Sequence, residues 1–484
     1  MPLLTKSKYI IGLSCPKYLW MMFHELDKIP ELDLATEYII QQGYIIGQLA
    51  KKLFPGGVDL PEDTKDFKIN VQKTQELLKQ RKIIFEAGII AGDLYARADI
   101  LVPAGKNEWD IVEVKASTKV KDEHIHDVSF QKHVYQLAGL KIRKCFLLHI
   151  KNEFIKKGEV NPKELLIQEE ITTEVNDAIN GIQDRIDYMM EVVNNKEPPK
   201  VNIGNGCKNG LECVSEDCWN FLPESHVFDL YYGGRKSLEL LEAEIFSIKD
   251  IPDNFKLNEK QEIQRKCANT GKAHINKEGI KKFLKGLKSP LYYLDFETFQ
   301  TAVPLYDGTK PYQQIPFQFS LHVDDGKKLK HFEYLHDLQD DPRKKLTQEL
   351  IKVLGSEGSI ITFNQSFEIG RLKELAEAFP EHKEWVESVI KRIVDLIVPF
   401  RKFDYYNPKQ KGSCSIKDVL PAIVGKSYKD MNINNGGLAS VSYFESIFNG
   451  VGNKEQIRKD LLEYCKLDTE GMVWIVKEFE RLVR

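Results

Sequence analysis

At 484 residues the chain is too long for one ordinary core, and its length predicts two to four domains. Its 42% hydrophobic and 29% charged residues exclude a disordered polymer, and a formal net charge of −3 excludes a uniformly basic nucleic-acid coat. Basic surface is therefore local, at Lys115–Lys121, at Lys141–Lys144 with Lys156 and Lys157, and at Lys281–Lys288. No apolar run is long enough for a membrane span. The early Ile10-Ile-Gly-Leu13 run lacks the sustained apolar core of a signal peptide, so a cytoplasmic chain without a membrane partner is expected.

In chain order, Cys15 opens Cys-Pro-Lys-Tyr-Leu-Trp20, with no cysteine close by in sequence. Helical spacing of apolar residues predicts a helix over 34–53, stopped by Pro55-Gly-Gly57, and another over 72–80. A strand is expected over 83–90. Residues 97–115 then alternate polar and apolar on both sides of a polar turn, Ala104-Gly-Lys-Asn107, and read as a hairpin. With the turn centred near Lys106, Asp99 lies opposite Glu113, and Glu113 shares a face with Lys115. Val112 and Val114 face the other way. Two carboxylates and a lysine on one side of a sheet suit hard-cation hydrolysis with Mg2+ or Mn2+. A helix over 128–140 follows, with Gln131 and Tyr135 four apart on one face.

Asp99, then Glu113-x-Lys115, then Gln131-x-x-x-Tyr135 resembles the motif order of RecB-family PD-(D/E)XK nucleases. That resemblance implies that Asp99 and Glu113 bind metal, that Lys115 assists catalysis, and that Gln131 and Tyr135 position DNA or the lysine. One departure is Gly43-Tyr-Ile-Ile-Gly47, which has glycine where the family often carries histidine. Beyond it a strand is expected over 145–150 and a long amphipathic segment over 174–193, broken by Asn194-Asn-Lys-Glu-Pro-Pro199.

Cys207, Cys213 and Cys218 then fall within a dozen residues, in a stretch with glycines at 204, 206 and 210; in a cytoplasmic chain they indicate metal, not disulfides. A fourth thiolate is required, and Cys15 is the choice because domain ends are commonly close. One early and three late cysteines bracketing the nuclease motifs resemble the iron–sulfur subset of the RecB family. This implies a [4Fe–4S] cluster on Cys15, Cys207, Cys213 and Cys218, with Zn2+ as the alternative. Cys145, Cys267, Cys414 and Cys465 read as structural. Residues 226–288 read as a polar helical connector.

The second acidic set begins at Leu291-Tyr-Tyr-Leu-Asp295-Phe-Glu297, with Asp295 and Glu297 on one strand face. Strands over 318–322, 329–334 and 359–363 are expected, with helices over 341–354 and from Asn364 to Phe379 carrying Glu368. Tyr464 and Asp468 stand four apart on a final helix. Asp-x-Glu, a central acidic residue and Tyr-x-x-x-Asp resemble the DEDD exonucleases of the RNase H-like fold, in which carboxylates bridge two divalent ions. The resemblance gives Tyr464 the role of orienting water. Glu368 departs from it, since aspartate is usual there, and Asp395 is an additional acidic candidate.

The expected architecture is α/β: a PD-(D/E)XK restriction-endonuclease-like domain over 1–225, the helical connector over 226–288, and an RNase H-like domain over 289–484. The tandem resembles an uncharacterised bacterial nuclease family. It implies a metal-dependent nuclease acting on DNA, with RNA also possible as a partner, at ends or single strands. The alternative is a catalytically silent nucleic-acid-binding or scaffold protein with a structural metal cluster.

Overall fold

A computed structural model describes residues 2–60, 67–204, 207, 213 and 215–484. The chain is mixed α/β and divides into two compact units, Met1–Trp219 with Thr301–Gln313, and Asn220–Gln300 with Gln314–Arg484.

In the first unit a short strand, β1 (Leu4–Thr5), leads into helices α1 (Lys6–Ser14) and α2 (Pro16–His24). Thr5 caps α1 by accepting from Lys8 N, and Cys15 caps α2 by accepting from Tyr18 N. Then come α3 (Leu34–Lys51), β2 (Val58–Asp59), α4 (Phe67–Lys79) and β3 (Ile84–Ala91), followed by the hairpin β4 (Leu94–Ala104) and β5 (Glu108–Lys115). Helix α5 (Asp122–Leu137), β6 (Lys141–Ile150), α6 (Pro162–Leu165), β7 (Leu166–Glu170), α7 (Thr172–Ile179) and α8 (Ile182–Asn194) complete it. The amphipathic segment expected over 174–193 forms two helices, α7 and α8. Asn180 leaves the helical region and Gly181 takes φ +70°, which resets the chain direction before α8.

The sheet runs β2-β3-β4-β5-β6-β7, and β1 pairs in parallel with the start of β4. The hairpin pairs Ile100 with Val112 and Leu101 with Ile111, the register that sets Asp99 against Glu113 one step further on. Alternation then sorts the faces. Val112 joins Ile46, Ala50, Phe85 and Leu148 on the α3 side. Ile111 and Leu147 meet Val128, Phe130, Val134 and Tyr135 of α5 on the other. Burying each such side chain contributes about 1.5–3 kcal/mol, which offsets the cost of the charges enclosed between the sheet and α5.

In the second unit, residues 226–288 do not stand apart as a connector. They carry α9 (Arg235–Glu242), α10 (Glu259–Thr270), β8 (His274–Ile275) and α11 (Lys277–Lys285). A five-stranded sheet follows, built from β9 (Leu291–Phe299), β10 (Ile315–Asp324), β11 (Leu329–Leu335), β12 (Ser359–Thr362) and β13 (Ile393–Asp395). Its order is β11-β10-β9-β12-β13, with β10 antiparallel to β9 and to β11, and β12 parallel to β9 and to β13. The other helices are α12 (Pro342–Val353), α13 (Ser366–Ala378), α14 (Lys383–Ile390), α15 (Val398–Arg401), α16 (Ile416–Val424), α17 (Gly436–Phe444) and α18 (Lys454–Val483). Strand β14 (Tyr405–Tyr406) pairs with β8, and this ties the expected connector into the unit. Tyr292, Leu294 and Phe296 face the core under α12 and α13. The alternate residues of β9 face α18, whose buried stripe Leu461, Tyr464, Cys465, Asp468 and Met472 repeats at helical spacing. No described helix is long and apolar enough to cross a membrane.

Candidate metal and catalytic centres

In the first unit, Asp99, Glu113, Lys115, Gln131 and Tyr135 converge between β4, β5 and α5. Glu113 is the hub. Its Oε1 accepts from Lys115 Nζ at 2.6 Å and from Lys6 Nζ at 2.7 Å, and its Oε2 accepts from Gln131 Nε2 at 2.8 Å. Asp99 Oδ2 accepts from the backbone N of Val114 at 2.7 Å. Tyr135 is fully buried and works on the backbone, donating to Ala87 O at 2.5 Å and accepting from Ala98 N at 2.9 Å. Its hydroxyl therefore fixes α5 against β3 and β4.

Two members were not anticipated. Asp127 Oδ2 accepts from Lys115 Nζ at 2.6 Å, and its Oδ1 from Gln131 Nε2 at 2.8 Å. Lys6 is delivered by β1 and lies 3.7 Å from Asp99 and 3.9 Å from Asp127. Asp127, Gln131 and Tyr135 are spaced i, i+4, i+8, so the helical stripe that carried the last two also held the first. Nothing in the sequence near the hairpin marked Lys6, 107 positions from Glu113.

Electrostatically this cluster is compensated. Burial opposes ionisation of Glu113, but Lys115 and then Lys6 outweigh it and hold its carboxyl well below the usual range. Burial also works against the Lys6 and Lys115 ammoniums, yet Asp127 and Glu113 keep both charged. Asp99, which is half-buried, is pushed up to about 7 by desolvation and by its neighbour Glu113. A divalent ion on Asp99 and Glu113 would take the position the Lys6 ammonium now holds. Lys6→Met is therefore expected to tighten Mn2+ binding at this cluster in a calorimetric titration; unchanged affinity would show that Lys6 does not compete.

The second centre is the opposite case. Asp295, Glu297 and Cys465 bring ligand atoms within 4.8 Å of one another. Asp468, one turn beyond Tyr464 on α18, accepts from the Tyr428 hydroxyl at 2.7 Å. Thr469 fixes the register of α18 by bonding Ser320 Oγ at 2.7 Å and His322 Nδ1 at 2.8 Å. Glu368 is buried at the start of α13, and among the described residues its Oε2 has no hydrogen-bond partner. Tyr464 is buried beside Asp468 and Glu297, which with burial push its hydroxyl pKa up. Asp395 behaves as a cap, accepting from Asn364 N at 2.9 Å and Ile397 N at 3.1 Å.

Here burial and mutual repulsion act together. Burial first, then Asp468 and Glu297, raise Asp295 well above the carboxylate range; burial and Asp468 do the same to Glu297. Asp468 is pushed up to about 7 by burial, against its Tyr428 bond and Lys417. Glu368 is pushed up to about 8, mainly by burial. The cation acting on Asp468 and Glu297 is Lys417, itself lowered by burial. One half-buried and three buried carboxylates with so little positive charge fit divalent cations by donor chemistry and by the orphaned Glu368 oxygen. Cys465, buried as a structural cysteine would be, also donates from its Sγ to Asp295 Oδ2 at 3.6 Å. Tyr428 and Lys417 were also unanticipated, because neither lies in a periodic segment with the acidic residues.

The folded state thus holds protons on Asp468 and Glu368 that the unfolded chain releases at ordinary carboxylate pKa values. Between about pH 4 and pH 8 the folded form binds more protons, so stability without metal falls as pH rises. Thermal melting in chelator is expected to give a higher Tm at pH 6 than at pH 8, with added Mn2+ narrowing the gap.

The cysteine set also gathers. Cys15 is half-buried, and Cys207 and Cys213 act on it as like charges. Lys17, two residues on, donates to Cys218 Sγ at 3.6 Å and to Asp217 Oδ2 at 2.6 Å. Trp20 Nε1 bonds Asn195 O at 2.9 Å, and His24 Nε2 bonds Val193 O at 2.7 Å, pinning α2 to the end of α8 just before the late cysteines. The glycines at 206 and 210 lie outside the described residues. Thiolate donors suit a soft metal group, although among the described residues no three of these thiols lie within 4.8 Å of one another.

The fold and these centres define an α/β protein with two acidic clusters and a cysteine set. Residues 292–415 match a family described as a domain of unknown function (DUF2779). The chain is 31% identical over 226 residues to "Uncharacterized protein UU173" of Ureaplasma parvum serovar 3, covering 41% of this chain and 32% of that protein. It is 29% identical over 220 residues to "Uncharacterized protein MG366" of Mycoplasma genitalium, covering 41% and 33%. The chain thus spans about a third of the length of these curated relatives. A solved structure titled "Crystal structure of SSO0001" matches at 13% identity over 38% of this chain and 76% of that chain, with a TM-score of 0.19, which carries no fold argument. The DUF2779 match contains Asp295, Glu297, Glu368 and Asp395 but ends before Lys417, Tyr464 and Asp468.

Proposed function

We propose that this chain is a metal-dependent nuclease that hydrolyses DNA phosphodiesters, working as an exonuclease on ends or single strands. The observation that carries the reading is the under-compensated cluster of half-buried Asp295 with buried Glu297, Glu368 and Asp468. The sheet order β11-β10-β9-β12-β13, with β10 antiparallel to β9, supports an RNase H-like fold with DEDD chemistry. Bound Mg2+ or Mn2+ would supply Lewis-acid activation of water and stabilise the leaving oxygen. Asp295, Glu297, Glu368 and Asp468 would hold it. Tyr428 orients the Asp468 carboxylate, Tyr464 orients the attacking water, and Lys417 offers a cation to the phosphate.

For the first unit, Asp99, Glu113, Lys115, Gln131 and Tyr135 support a RecB-like PD-(D/E)XK reading, with Asp99 and Glu113 as metal ligands. A second reading has its own observation: Lys6 and Lys115 already neutralise Glu113, which suits a structural ion-pair network. Incubating end-labelled single- and double-stranded DNA and RNA with Mg2+ or Mn2+ decides between them. Cleavage lost in Asp295→Asn but kept in Asp99→Asn assigns the activity to the second unit. Absence of cleavage by the wild type under all conditions would leave a binding or scaffold protein.

The four cysteines support a [4Fe–4S] cluster that ties the N-terminal helices to the segment after α8. Anaerobically purified protein is expected to show broad visible absorbance that Cys15→Ser removes together with bound iron. A colourless sample containing zinc would select the other metal.

A further inference from the structure

Tyr231-Tyr-Gly-Gly234 takes no part in either acidic centre, yet among the described residues it presents the most exposed large hydrophobic side chain of the second unit. Tyr232 is 84% exposed and sits at φ +49°, a left-handed conformation that a tyrosine adopts only under constraint. Gly233 follows because a Cβ there would meet Ser237 Oγ at 2.2 Å. The turn thus holds an aromatic ring out in solvent, with Tyr231 edge-on to it at 4.5 Å.

This ring borders an open cleft of about 520 Å³, lined also by Phe363, Asn364, Arg401 and Ser415. Arg401 brings a guanidinium to the aromatic cleft: its Nη2 reaches Asn364 Oδ1 at 3.3 Å and the residue is exposed, while Lys260, outside the lining, lies with its Nζ 5.1 Å from the Tyr231 ring. Two walls are continuous in the chain with elements of the acidic centre. Phe363 and Asn364 open the helix that carries Glu368, and Ser415 caps the helix that carries Lys417.

We propose that this cleft is a stacking subsite that seats one nucleobase of a single-stranded nucleic acid on Tyr232 and its phosphate on Arg401. The assignment rests on the nuclease reading of the neighbouring carboxylates and gives it a substrate form. An aromatic face accepts any base, whereas a guanidinium fork selects phosphate. Inside a duplex both faces of a base are already stacked on its neighbours, so a single strand is favoured.

The test uses the full chain without added divalent ions, fluorescent twelve-residue oligothymidylate and oligouridylate, and a duplex of equal length. Tyr232→Ala is expected to weaken single-strand binding on the order of tenfold and Tyr232→Phe to leave it near wild type. Arg401→Met should also weaken it and reduce the slope of log K against log salt by about one, while Tyr232→Ala keeps that slope. A 5-iodouracil oligonucleotide should photocrosslink to Tyr231 or Tyr232. Unchanged affinities with crosslinks mapping elsewhere would overturn the subsite. If that occurred while Asp295-dependent cleavage persisted, the nuclease reading would stand without it. If crosslinking and the Tyr232→Ala loss held with no cleavage by the wild type, the subsite would stand and the catalytic reading would fall. The two oligonucleotides separate DNA from RNA as the preferred strand.

Discussion

Asp295→Asn is expected to make the metal-free protein more stable while removing cleavage by the second unit. The two effects share one cause. Asp295 is enclosed with Glu297, Glu368 and Asp468, and each ionised neighbour raises the cost of the next. Neutralising one relieves that repulsion by roughly 1 kcal/mol or more, a Tm rise of ~2–4 °C in chelator at pH 8. The same change deletes a cation ligand, so Mn2+ should no longer raise the Tm, and turnover should fall on the order of a hundredfold or more. A structural aspartate behaves differently: its loss lowers stability and leaves metal response intact.

Glu113→Ala is expected to do the reverse in the first unit. Glu113 accepts from Lys6, Lys115 and Gln131 at once and is only 1% exposed. Truncation removes the acceptor that both ammoniums and Gln131 share, leaving Lys115 with Asp127 and Lys6 with only its longer contacts to Asp99 and Asp127, at a cost of about 1–3 kcal/mol. Glu113→Gln keeps the volume and one acceptor and should cost less. Denaturant melts of both variants check this; a Glu113→Ala protein as stable as the wild type would mean that the lysines turn to solvent and the network contributes nothing.

These opposite signs separate the two acidic centres, and the sequence could not have supplied that distinction. The hairpin register that set Asp99 against Glu113 was legible because the turn is short and the alternation strict. The pair Asp295 and Glu297, and the helix stripe of Tyr464 and Asp468, were legible for the same reason: both rest on local periodicity. Charge compensation is not local. Lys6 arrives because Leu4 and Thr5 add to the edge of β4, a pairing two residues long that no periodic pattern announces. Lys417 and Tyr428 sit in a stretch with loops and short helices, and Cys465, read as structural from its apolar neighbours, faces a carboxylate across the fold. The helical break at Gly181 was missed because the apolar spacing continues through it.

The central claim is that the enclosed carboxylates of the second unit exist to hold divalent ions. Calorimetric titration of chelator-treated protein with Mn2+ at pH 8 tests it most directly, comparing the wild type with Asp295→Asn and Asp468→Asn. The wild type is expected to bind, and both variants to lose the second unit's share of that binding while remaining folded by circular dichroism. Identical Mn2+ binding in all three proteins, or none in the wild type, would contradict it.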